Sequence, residues 1–168
     1  GDIQIVSKTT LDNGLTLTAA HHINTSTNPA ADASVVDAGA DHVDDSYIDI
    51  SGDFGSFRAG NTDDALDRMD GAYPANWDEN GNADGGFAIG GTQPAVTASF
   101  IAPTISGVTV YGSSTAEGAY TGMGVNYSNG PIAVIYQSGT DGTTDKSLMA
   151  VNVSMAGMTV GFGTGDQD

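Results

Sequence analysis

The densest charge in the chain lies between positions 61 and 91. Asp63, Asp64, Asp67, Asp70, Asp78, Glu79 and Asp84 stand there against a single cation, Arg68. Crowded carboxylates do two kinds of chemistry. Lining a path, they attract and select cations; at ligand spacing, they hold a hard divalent ion through oxygen. Asp78-Glu79-Asn80-Gly81-Asn82-Ala83-Asp84-Gly85 alternates oxygen-bearing side chains as a calcium loop does, with Asp78, Asn80, Asn82 and Asp84 as candidate ligands. Ala83 stands where such a loop needs glycine, and Ile89 where it needs its closing glutamate, so the segment is not an EF-hand. An irregular Ca2+ site is the remaining metal expectation. The plain alternative for the whole stretch is a solvated acidic loop.

Other reactive types are sparse. His21 and His22 are adjacent, so on a strand they point to opposite faces and cannot share a metal. His42 sits in a polar stretch. No Ser/His/Asp arrangement stands out, and the carboxylate-rich stretches lack the apolar pocket that tunes a general acid. There is no cysteine, which excludes a disulfide scaffold and a thiolate metal site. The reading is therefore not an enzyme, and no cofactor is required.

Composition limits the partners. The net charge is −17, with only Lys8, Arg58, Arg68 and Lys146 as cations among 168 residues. Phosphate recognition needs clustered Lys and Arg, so nucleic acid is excluded as a partner. An anionic lipid surface is disfavoured for the same reason. Two explanations of the charge stay open: solubility in salty surroundings, or a functional field that draws cations. No segment reaches the roughly 18–20 apolar residues of a membrane helix, and residues 1–168 contain no signal-peptide pattern, as expected for a mature or truncated chain. A β-barrel needs neither, because its strands cross a bilayer by alternation.

Gly and Asp are abundant, with 24 glycines, and both favour turns over helix. Ten strands are expected, at 3–10, 15–23, 46–51, 56–60, 95–102, 108–113, 120–128, 132–138, 146–155 and 158–164. One short helical turn is expected over 62–69, capped by Asn61 or Thr62. Ile48 and Ile50 alternate with Tyr47, Asp49 and Ser51; Met158, Val160 and Phe162 alternate with Thr159, Gly161 and Gly163. One face is apolar and the other is Thr, Ser, Asn and Gly, where a soluble sheet would carry Lys and Glu. The connections also alternate. They are short at Asn13, Asp53, Ser106, Gly130 and Gly157, and longer at 24–45, 61–91, 115–119 and 140–145. Transmembrane barrels have this asymmetry, whereas a sandwich has no reason to keep it. Tyr127, Tyr136 and Phe162 lie near the short turns, placed either for an interfacial aromatic girdle or for ordinary cross-strand packing.

The run Ser46-Tyr47-Ile48-Asp49-Ile50-Ser51-Gly52-Asp53-Phe54-Gly55-Ser56-Phe57-Arg58-Ala59-Gly60-Asn61 resembles a signature of Gram-negative general porins, in particular the alphaproteobacterial type. In that family a strand, a Gly-Asp-Phe-Gly turn and a short strand lead into a long third loop. Leu11-Asp12-Asn13-Gly14-Leu15-Thr16-Leu17 resembles an early hairpin of the family. The stretches from Phe100 to Gly112 and from Gly124 to Val134 resemble the hairpins after the loop.

The resemblance implies an all-β antiparallel transmembrane barrel of sixteen strands, assembled as a homotrimer. Such a barrel takes roughly 280–350 residues. Residues 1–168 are then one partial barrel holding about ten strands, with 61–91 as the pore-constricting third loop. The seven acids of that loop, with Arg68 and the wall residue Arg58, become the constriction; Lys8 or Lys146 are further wall candidates. The implied activity is passive diffusion of small hydrophilic solutes and ions, with a preference for cations. The implied surroundings are outer-membrane lipid and lipopolysaccharide. The rival reading is an acidic, Ca2+-stabilised β-rich adhesin or surface-layer module.

Overall fold

Period-two alternation is realised as one sheet. In a computed structural model, residues 2–24, 43–72, 97–115, 118, 120–140 and 144–168 are described. The strands are β1 (Asp2–Thr10), β2 (Thr16–Asn24), β3 (Val43–Gly52), β4 (Gly55–Asn61), β5 (Thr97–Ile101), β6 (Val108–Thr115), β7 (Thr121–Asn129), β8 (Ile132–Thr140), β9 (Asp145–Met155) and β10 (Met158–Gln167). They pair in chain order, each antiparallel to its neighbour, as a continuous meander.

The short connections are tight for a stated reason. Ser106 and Gly107 have φ of 52 and 85, and Ala156 and Gly157 have φ of 52 and 79. Positive φ at both central residues makes a turn whose twist matches that of the flanking strands. At Asn13 the side chain accepts the Leu15 amide at 3.2 Å, closing the first hairpin.

Every expected strand is present, with shifts at the ends. β3 begins at Val43, inside the stretch read as loop to Asp45, because Val43 pairs with Ile23 past a register shift after His21. β10 runs on to Gln167, paired with Lys146. The expected turn over 62–69 is a 3-10 helix at Asp67–Ala72 instead. Its cap is neither Asn61 nor Thr62. The Asp64 carboxylate accepts the Leu66 and Asp67 amides at 2.7 and 3.1 Å, so the helical residues follow Asp64 and begin at Asp67.

Register assigns the faces. Asp49, Arg58, Ser99, Tyr111, Gln137 and Leu148 share one face; Ile48, Phe57, Phe100, Val110, Met123 and Phe162 share the other. Burial divides the same way, but against the soluble pattern. The polar face is the covered one, with Thr97, Ser99, Thr109 and Gln137 buried, whereas Val110, Met123, Val160 and Phe162 are 50–69% exposed on the apolar face. What covers the polar face is the chain's own segment after β4: Ala65 and Leu66 are fully buried against Tyr111 and Leu148, flanked by Met69 and Ile101. A wall that buries polar side chains inward and shows large apolar ones outward is suited to lipid outside.

Aromatic residues gather at the short-turn end. Phe54 in the β3–β4 turn stacks on Phe100 with ring centroids 6.5 Å apart, and Phe57 pairs with Phe100 across β4 and β5. These three, none of them among the girdle residues expected from the sequence, hug the short turns. Of the three it chose, Tyr127 and Phe162 lie in one cross-strand row with Val134 and Val151, and Tyr136 lies one outward-facing row further from the turns.

Candidate functional site

The polar face has a charged centre at Asp49. Asp49 lies on β3 directly opposite Arg58 on β4. Its Oδ2 accepts the Ser56 hydroxyl at 2.7 Å and the Arg58 Nε at 3.4 Å, and meets an Arg68 guanidinium nitrogen at 3.5 Å. Two cations therefore share one carboxylate. Arg58 also lies over the Tyr47 ring, 3.9 Å from its centroid, and reaches Thr62 at 3.4 Å. Such stacking holds a guanidinium flat against the wall.

The other wall cations lie on the same cross-strand row. Lys8 pairs with Thr18, Thr18 with Asp49, Asp49 with Arg58, and Arg58 with Ser99. Ser99 pairs with Ser113, Ser113 with Gly122, Gly122 with Gly139, and Gly139 with Lys146. Paired residues project to the same side, so Lys8, Arg58 and Lys146 all belong to the polar face. Arg68 is laid on that row from the covering segment.

That segment is seated at two places. On β6 to β9, the Ala65 amide donates to the Ser113 hydroxyl at 2.9 Å, and Gln137 Nε2 donates to the Leu66 carbonyl at 3.4 Å and to the Tyr111 hydroxyl at 3.1 Å. Tyr111 lies across Gly124, where an added Cβ would stand 2.3 Å from the ring; only glycine leaves that room. On β4 and β5, Arg68 donates to Ser99 at 2.8 Å and to Ser56 at 3.1 Å. Between the two anchors Asp64 shapes the turn. Burial pushes its carboxyl up to about 6, against the lowering effect of the Asp67 and Leu66 amides; the charge of Asp67 adds to the rise, and a hydrogen bond from Tyr120 opposes it. Arg68 is held below its ordinary value by burial first and by the charge of Arg58 second, with Asp49 acting the other way.

Among the expected constriction residues, Asp63 and Asp67 are partly buried in the covering segment, Asp64 is fully buried within it, and Arg58 and Arg68 meet at Asp49. Asp70 belongs to the 3-10 helix. Asp78, Glu79 and Asp84 lie outside the described residues, and so do Asn80 and Asn82 of the candidate Ca2+ loop. Among the described residues no group of three or more His, Asp or Glu side chains is placed to hold a metal. His21 and His22 do face opposite ways; His21 Nδ1 lies 3.2 Å from the Ser46 hydroxyl. Sequence reasoning passed over Asp49, Ser56, Ser99, Tyr111 and Gln137. Alternation with Ile48 and Ile50 was the available signal for Asp49, since it assigns that carboxylate to the polar face.

Comparison with known proteins agrees with this architecture. A family model described as Gram-negative porin matches residues 1–168. Two mutant porins of Rhodopseudomonas blastica, each 19% identical, superpose with TM-scores of 0.65 and 0.66 over 98% of this chain. A porin refined at 1.8 Å resolution, 14% identical, superposes with a TM-score of 0.58 over 99% of this chain. The chain spans 63% of the length of the two blastica porins and 60% of that of the third. No curated protein gives a significant match. Gram-negative porins are outer-membrane proteins, and the outer membrane is where this chain resides. With a family match over its whole length and a ten-stranded meander whose apolar face turns outward, the chain belongs to the Gram-negative porin family.

Proposed function

We propose that this chain forms part of a water-filled channel for passive diffusion of small hydrophilic solutes and ions, with a preference for cations. In this reading residues 61–91 are the loop that narrows the channel, and the complete protein is a homotrimer set in lipid and lipopolysaccharide. The observation that carries the reading is the seating of Leu66 and Ala65, fully buried on the polar face of a wall whose other face is apolar and exposed. A chain segment folded onto the lumenal side of a large barrel narrows the open cross-section there, because large barrels leave an aqueous channel.

The charge distribution supports cation preference. The chain carries −17 overall, and the loop holds Asp63, Asp64, Asp67 and Asp70 among its described residues. Lys8, Arg58 and Lys146 stand on the polar face of the wall, the face that the acid-bearing segment covers. Acidic side chains at the narrowest level set ion selectivity through their field. No cofactor enters the reading.

The test is electrical. The full-length protein reconstituted in a planar bilayer should give steady unitary conductance, and its reversal potential in a KCl gradient should take the sign of a cation-preferring pore. Replacing Asp63 and Asp67 together by Asn should move that potential towards anions. An unchanged potential would overturn the role of the loop acids, and absence of any conductance would overturn the channel itself.

A further inference from the structure

Arg68 is the one cation that the loop itself contributes among its described residues. Its guanidinium spans to the wall. One terminal nitrogen donates to Ser99 on β5 at 2.8 Å; the other donates to Ser56 on β4 at 3.1 Å and lies 3.5 Å from Asp49 on β3. A single side chain thus ties three adjacent strands to the segment after β4. The second attachment of that segment starts on the next strand and runs away from the first: Ala65 bonds to Ser113 on β6, the cross-strand partner of Ser99, and Leu66 packs on Tyr111 of β6 and Leu148 of β9 and accepts from Gln137 on β8. Asp64 and the backbone bond from the Arg68 amide to the Asp64 carbonyl, at 3.1 Å, rigidify the turn between the two anchors.

A segment held on β6–β9 alone is free to pivot about that contact; a second anchor reaching β3, β4 and β5 removes that freedom. The geometry points to Arg68 as the positioning residue that fixes the loop against the wall and so sets the aperture of the channel, an assignment that rests on the channel reading above. Its fork is what the role requires. Two nitrogens of a planar guanidinium address Ser99 and Ser56 at once, whereas an ammonium is a point charge without that geometry. Arg58 does not take this place, because it is committed to Tyr47, Thr62 and Asp49 from the wall side.

The experiment uses the full-length protein, with folding checked by heat-modifiable migration. Arg68→Gln should raise unitary conductance and open-channel noise, and should speed amide exchange at Leu66, Arg68 and Met69. Arg68→Lys separates position from charge. It should keep the parent's reversal potential while showing the noise and faster exchange of Arg68→Gln. Ser99→Ala, which removes one contact and no charge, should shift noise and exchange in the same direction by less, and it serves if Arg68→Gln does not fold. Two results would overturn the inference: conductance, noise and exchange at parental values in Arg68→Gln, or an Arg68→Lys protein that matches the parent in all of them. If the parent itself conducts nothing, the channel reading falls first; if the parent conducts steadily and the variants match it, only the role of Arg68 falls.

Discussion

Asp64 carries a proton-linked strain whose sign can be worked out. Its carboxylate is buried, and burial lifts it from 3.8 to about 6 even though two backbone amides and Tyr120 stabilise the charged form. At about 1.4 kcal/mol per pH unit of displacement, that rise corresponds to about 3 kcal/mol between the two protonation states. A group raised on docking stabilises the docked form fully below its free value, and that stabilisation is lost as pH climbs through its docked value. The seated loop should therefore be tighter at pH 4 than at pH 7, with the change concentrated between 3.8 and about 6. Hydrogen exchange at the Leu66 and Asp67 amides reads this directly, since both donate to Asp64. Corrected for intrinsic exchange, their protection should grow on acidification by up to about 3 kcal/mol. Asp64→Asn keeps an oxygen for the two amides and removes the charge, so its protection should be flat across that window. Asp67→Asn should lower the midpoint, because the Asp67 charge contributes to the rise. Protection that is flat or falls with acid in the parent, or an unaltered slope in Asp64→Asn, would refute the reasoning.

Leu66→Ala should weaken loop seating by about 2–5 kcal/mol, as for other fully buried leucines, measured as increased proteolytic cleavage of the loop in detergent. Gly124→Ala should displace Tyr111, since the new Cβ would stand 2.3 Å from its ring; lowered thermal stability and a broken Tyr111–Gln137 contact are expected, visible by melting and by the environment of Tyr111. Val125→Lys, on the exposed apolar face and one outward-facing row further from the turns than Phe162, should cost up to about 2–4 kcal/mol where that face meets the bilayer midplane, whereas Thr159→Lys on the opposite face should be tolerated; folding yield into lipid vesicles compares the two.

Much of the wall was legible in the sequence because a barrel strand is a local pattern. Alternation at Ile48-Asp49-Ile50 and at Met158-Thr159-Val160 needs only neighbouring residues, and the turns at Gly107 and Gly157 announce themselves by residue type. The ends were less legible: β3 starts at Val43 because of its partner Ile23, which nothing in Val43-Asp44-Asp45 reveals. The site was half legible. The acid-rich segment was visible as composition, but the identity of its cap was not, since Asn61, Thr62 and Asp64 are all capable and only the path of the chain selects Asp64.

By itself, then, the sequence determined a strand meander with one apolar and one polar face, and an acidic insertion after the fourth strand. Only the tertiary structure decided where that insertion goes and which cations it meets. Arg68 and Ser99 are brought to 2.8 Å although 31 positions apart, and Lys8, Arg58 and Lys146 share a row solely through strand register. The physical reason is that alternation is a property of the backbone, repeated every two residues, whereas register and loop seating arise from contacts between segments far apart in the chain.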